Sequence, residues 1–130
     1  MGKILFSGDF PVNASTKMLY PYIYTPSGLA QWFADDVKLN EDGLYIFEWE
    51  GEQSVAKLTS HRTNHFVKFE FLPEDENDHD PAHLELRLEM SELTESVFIK
   101  VIDYSDIEDL DELRDLWSSL IDSLKETVGG

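Results

Sequence analysis

The chain has 130 residues and a formal net charge of −17, from 10 Lys and Arg against 27 Asp and Glu. Such acidity repels phosphate backbones and anionic lipid surfaces, so nucleic acid and membrane insertion are not expected. Cysteine is absent, which excludes disulfides, thiolate nucleophiles and zinc–thiolate centres.

With 42% hydrophobic residues, the chain has the composition of a packed globule, and its length fits a single domain spanning 1–130. The start of the chain lacks the apolar run of a signal peptide. No stretch approaches the ~20 apolar residues that cross a bilayer. The expected compartment is the cytoplasm.

Lys3 to Val12 reads as a strand closed by Pro11 and Asn13. Asn13 or Ser15 is placed to cap a helix whose apolar side carries Met18, Leu19, Tyr22 and Ile23. Thr25-Pro26-Ser27-Gly28 breaks it. Pro26 suits the first turn of a second short helix carrying Leu29, Trp32 and Phe33.

Between Gly43 and Gly51, Tyr45, Phe47 and Trp49 alternate with Ile46 and Glu48, the period of a strand. Gln53 to Ser60 is its expected partner. Phe66 to Phe71 alternates Val67, Phe69 and Phe71 against Lys68 and Glu70, after a turn over His61 to His65. Pro73 to Pro81 is an acidic loop. Leu84, Leu86, Leu88 and Met90 then face one way and Glu85, Arg87 and Glu89 the other, as in a sheet buried on one face. Val97, Ile99 and Val101 repeat the pattern.

The closing element is a long amphipathic helix, expected over Asp106 to Val128. Ser105 with Glu108 matches a capping box, and Asp106, Glu108 and Asp109 suit the positive end of the helix dipole. Ile107, Leu110, Leu113, Trp117, Leu120, Leu124 and Val128 recur every three or four residues, widened by Leu116 and Ile121. Gly129 is the expected stop. Such a stripe needs a cover, and the sheet is the surface large enough to supply it.

Three stretches carry a family resemblance: Thr25-Pro26-Ser27-Gly28-Leu29-Ala30-Gln31-Trp32-Phe33; Ala56-Lys57-Leu58 followed by Val67-Lys68-Phe69-Glu70-Phe71; and Leu113 to Lys125, with its tryptophan–x–x–leucine–x–x–x–leucine spacing. Together they resemble the START-like, or SRPBCC, superfamily, nearest the homologues of the activator of a heat-shock chaperone's ATPase. The resemblance implies an α+β helix-grip fold, a curved antiparallel sheet wrapped around the C-terminal helix with two short helices after the first strand. It also implies a cavity between sheet and helix.

Chemical motifs are sparse. His79 and His83 lie four apart, but Pro81 breaks any helix that would align them, and no metal site is expected. The acidic loop lacks the glycine and closing glutamate of an EF-hand. His61 and His65 read as flanking a turn. Neither a nucleophile elbow nor a glycine-rich phosphate loop is present, so the expectation is a non-enzymatic protein without a cofactor.

The aromatic content and the resemblance point to a binding module for an apolar small molecule or lipid. The residues expected to line its cavity are Trp32, Phe33, Phe47, Trp49, Phe69, Phe71, Leu86, Leu88, Leu113, Trp117 and Leu120. Candidate polar anchors are Tyr20, Tyr22, Tyr24, Tyr104 and Arg87. The alternative is a protein-interaction module, with Asp103, Asp106, Asp109 and Asp111 as an acidic stripe for a basic partner. A cyclase- or aromatase-like enzyme is the third reading.

Overall fold

The computed structural model describes residues 3–73, 77, 79–106 and 109–129. Its elements run β1 (Ile4–Pro11), α1 (Thr16–Tyr24), α2 (Pro26–Leu29), β2 (Asp36–Leu39), β3 (Tyr45–Trp49), β4 (Glu52–Arg62), β5 (Phe66–Phe71), β6 (His83–Met90), β7 (Val97–Ser105) and α3 (Leu110–Val128). The strands form one antiparallel sheet in the order β1-β7-β6-β5-β4-β3-β2. This is the helix-grip α+β architecture: a curved sheet with α3 across its inner face.

Strand alternation fixes that face. Leu84, Leu86 and Leu88 of β6 lie opposite Asp103, Val101 and Ile99 of β7, and the five apolar members of these pairs are buried. Tyr45 and Phe47 of β3 and Val67 and Phe69 of β5 continue the same surface. From above, α3 contributes Leu113, Trp117, Ile121 and Leu124. Where β1 passes beneath the helix, the rings of Phe6 and Phe10 fold over Gly8, where a Cβ would lie 2.9 Å from Phe6 Cζ.

Several boundaries differ from the sequence expectation, each for a local reason. In α1 the Ser15 side chain accepts from the Met18 amide, confirming the cap, but Met18 is 52% exposed. The buried side is Leu19, Tyr20 and Ile23. The second helix, α2, is a single turn, so Trp32 and Phe33 sit in the turns that follow it. Thr25 Oγ1 accepts from the Gly28 amide and donates to Pro21 O, closing α1 and opening α2 with one side chain.

The hairpin strand β2 is an addition. Its turn is held by Asn40 Oδ1, which accepts from the Asp42 and Leu44 amides. At the other hairpin, β4 runs through His61 to Arg62, with a bulge between Leu58 and Ser60. His61 is therefore a strand residue.

The largest correction is at the start of α3. Ser105 is the last residue of β7, paired with Ile4, and the helix is capped instead by Asp109, whose side chain accepts from the Asp111 amide at 2.9 Å. Glu108, the other half of the expected capping box, and Ile107 lie outside the described residues. Leu110 and Leu116 of the expected stripe are exposed. Gly129 ends the helix in the left-handed conformation, with φ 77°, as expected of a glycine stop.

Candidate ligand-binding cleft

Trp117 projects from the middle of α3 toward the sheet and is 2% exposed. Its ring stacks on Phe33 at 5.7 Å between centroids and meets Trp32 at 6.4 Å. Phe33 is met edge-on by Trp49 at 5.3 Å. A buried indole must place its N–H as well as its ring, and all three tryptophans do so. Trp32 Nε1 donates to Tyr22 O at 2.9 Å, Trp49 Nε1 to Phe33 O at 2.8 Å, and Trp117 Nε1 to Asp103 Oδ2 at 2.8 Å. These bonds hold α3, the α2–β2 turn and the end of β3 in one aromatic cluster.

Beside that cluster a cleft of about 1300 Å³ opens between the α2–β2 segment, α3 and the neighbouring strand ends. Among the residues expected from sequence to line a cavity, Trp32, Phe33, Trp49, Phe71, Trp117 and Leu120 line this cleft. Phe47, Phe69, Leu86, Leu88 and Leu113 do not. They are buried in the packed core behind it, where Phe47 meets Phe69 edge-on at 5.6 Å. The inner face is thus part filled core and part open cleft.

The polar side of the cleft is not where the sequence placed it. Tyr20 and Tyr24 stack at 5.2 Å in a separate cluster, where Tyr20 Oη lies 3.2 Å from His61 Nδ1. Tyr45 joins it through a 2.7 Å bond to Tyr24 O, and burial, with Tyr24 and Tyr20 nearby, pushes its phenol up to about 12. Burial, reinforced by Tyr24, raises the phenol of Tyr20 as well, with Thr63 offsetting part of the shift. Tyr22 contributes its carbonyl to Trp32. Tyr104 stacks on His83 and donates to Asp80 Oδ2, and Arg87 lies over the Phe66 ring and pairs with Glu85 at 2.6 Å. None of these five expected anchors lines the cleft.

Of the polar residues that do, Asp103 is the one bonded to the aromatic cluster. It follows Ile99 and Val101 on the inner register of β7, so its carboxylate turns toward α3 rather than joining an acidic outer stripe. Burial pushes the Asp103 carboxyl above the usual carboxylate range. The Trp117 indole, the Ser105 hydroxyl and the charge of His83 hold it back in part. Ser105 also lines the cleft. Although near enough to favour the Asp103 charge, its buried Oγ makes no hydrogen bond of proper geometry among the described residues. The alternation Val97, Ile99, Val101, Asp103 was the signal for this placement, masked by the acidic residues that follow. No three His, Asp or Glu side chains converge as metal ligands among the described residues.

Residues 1–130 match the START-like superfamily domain along their whole length. The chain belongs to that family. Its seven-stranded sheet and closing helix are those of other START-like proteins. The solution structure of the Aha1 dimer from Colwellia psychrerythraea superposes with a TM-score of 0.76, at 17% identity and covering 96% of each chain. A Bacteroides fragilis protein solved by solution NMR is 32% identical over 98% of this chain and 92% of its own, with a TM-score of 0.62. CalU16 from Micromonospora echinospora gives 0.65 at 14% identity, covering 97% of this START-like chain and 75% of its own. The comparison with curated proteins returned no match. No helix among the described residues is long and apolar enough to cross a membrane.

Proposed function

We propose that the chain is a non-enzymatic binding module that holds an apolar small molecule or lipid in the cleft between α3 and the sheet. The observation that carries this reading is the lining of a space of about 1300 Å³ by three tryptophans and two phenylalanines. Small-ligand sites are concave and mostly apolar, roughly 300–1,000 Å³ in volume; this cleft is larger, and its rings stand beside polar residues such as Gln31, Gln53 and Ser54. Here the indole N–H groups are already spent within the protein, so these rings offer faces and edges rather than donors. The same rings anchor α2, β3 and α3 to one another, which supports a cleft already shaped before a ligand arrives. The protein-interaction reading is the weaker one, because Asp103 of its acidic stripe turns toward α3, where it accepts from the Trp117 indole.

Native mass spectrometry of the chain purified from its own host is the direct test, paired with indole emission during titration with pyrene and with a long-chain alcohol. The expected result is a retained small-molecule adduct, or saturable quenching by one of the probes. Absence of any adduct, together with unchanged emission for every probe, overturns the proposal.

A further inference from the structure

We infer that Asp103 is the polar anchor of the cleft and that its ligand carries a hydrogen-bond donor, a hydroxyl or an amine, on an apolar body, while carboxylate-terminated lipids are turned away. The inference rests on the binding proposed above and names the chemistry of what is bound.

Three observations carry it. The first is position. Asp103 lies on the inner face of β7 at the junction of the apolar core and the cleft, opposite Leu84 in the ladder. A carboxylate offers about four acceptor positions, and the Trp117 indole takes one of them on Oδ2. That same bond aims the group, because Trp117 is itself clamped against Phe33. A carboxylate fixed in this way accepts donors and offers none.

The second is charge. The cleft lining contains three carboxylates, Asp35, Asp103 and Asp106, against one ammonium, Lys3. Asp35 accepts from the Glu50 amide at the outer end of β3, and Lys3 Nζ lies 3.9 Å from the exposed Asp106. The surplus is therefore negative, inside a protein of net charge −17. Bringing a ligand carboxylate beside Asp103 would place two like charges together away from water.

The third is Ser105, two residues along the same face. A shielded hydroxyl without a well-formed hydrogen bond is uncommon in folded proteins and costly where it occurs. Next to Asp103 it is placed to support the carboxylate when a ligand donor engages it. It acts as a positioning residue.

Four fluorescent probes with one ring system separate these elements: pyrene, pyrenemethanol, pyrenemethylamine and pyrenecarboxylate. Each is titrated against the intact chain at high and low salt. Pyrenemethanol and pyrenemethylamine are expected to bind about tenfold or more tighter than pyrene at both salts, and pyrenecarboxylate more weakly than pyrene. Asp103→Asn keeps an acceptor for Trp117 and presents donors to the cleft. It should abolish the preference for the alcohol and amine over pyrene and improve binding of pyrenecarboxylate relative to pyrene. The substitution removes one of seventeen net negative charges, so a tenfold loss reports a local contact rather than the general field. Ser105→Ala, the milder change, should weaken the same preference several-fold. Pyrene binding with no preference among the probes, or a preference that survives Asp103→Asn, overturns the anchor while leaving the binding module intact. Failure of all four probes to bind overturns both.

Discussion

Asp103 carries the clearest consequence at the scale of single residues. Its carboxyl is raised above the ordinary range by burial, so the folded state binds the proton more tightly than the unfolded chain does. Between the unfolded value and the higher folded one, the native state holds more protons. Stability therefore falls as pH rises through that window, and the deficit persists at neutral pH. Asp103→Asn removes the penalty and keeps the acceptor for Trp117. The variant is expected to melt at a higher temperature than wild type at pH 7, with the gap closing as pH falls below the unfolded carboxylate range. Thermal melts of both proteins across pH check this, and a gap independent of pH would show that the charge of Asp103 carries no burial penalty. Gly28 makes a different prediction. A Cβ there would stand 2.2 Å from Pro21 O and 2.7 Å from Tyr22 Cα, both backbone atoms of the preceding helix. Gly28→Ala is expected to cost about 3 kcal/mol, the upper range for overpacking, measured by urea unfolding. Gly43, with open space around its Cβ direction, lacks that obstruction.

Secondary-structure elements show where sequence is informative. Strands β3, β5 and β6 are legible because each alternates cleanly for five or more residues, and the α3 stripe because it repeats over several turns. The start of α3 is not. Ser105 matches a cap by composition, but pairing with Ile4 commits its backbone to β7, and tertiary pairing overrides a local preference. The four residues of β2 offer too few alternations to register. The cleft is half legible for a related reason. An inward aromatic such as Phe47 or Phe69 has the same sequence pattern whether its ring meets another side chain or, like that of Trp49, borders open space. Two substitutions test the corrected helix. Trp117→Ala should cost ~3–5 kcal/mol, as large core truncations do, and a loss below about 1 kcal/mol would mean that the ring does not pack inward. Asp109→Ala should cost about 1 kcal/mol as the loss of a helix cap.

The molecule as a whole is a meander with one exception. From β2 to β7 every strand pairs with its neighbour in sequence, so each contact closes a short loop. The first strand, β1, pairs only with β7, and that register joins distant parts of the chain, Ile4 to Ser105 and Pro11 to Phe98. Closing a loop of that length costs chain entropy before any contact is made, and non-local pairing slows folding. The expected order of assembly is that the meander forms before β1 docks on it. As an edge strand bonded on one side only, as β2 is at the opposite edge, β1 is also expected to detach before the central strands under native conditions. Hydrogen exchange followed residue by residue should show the amides of β1 losing protection before those of β5 and β6. Equal protection across the sheet would mean that the chain instead closes and opens as one cooperative unit.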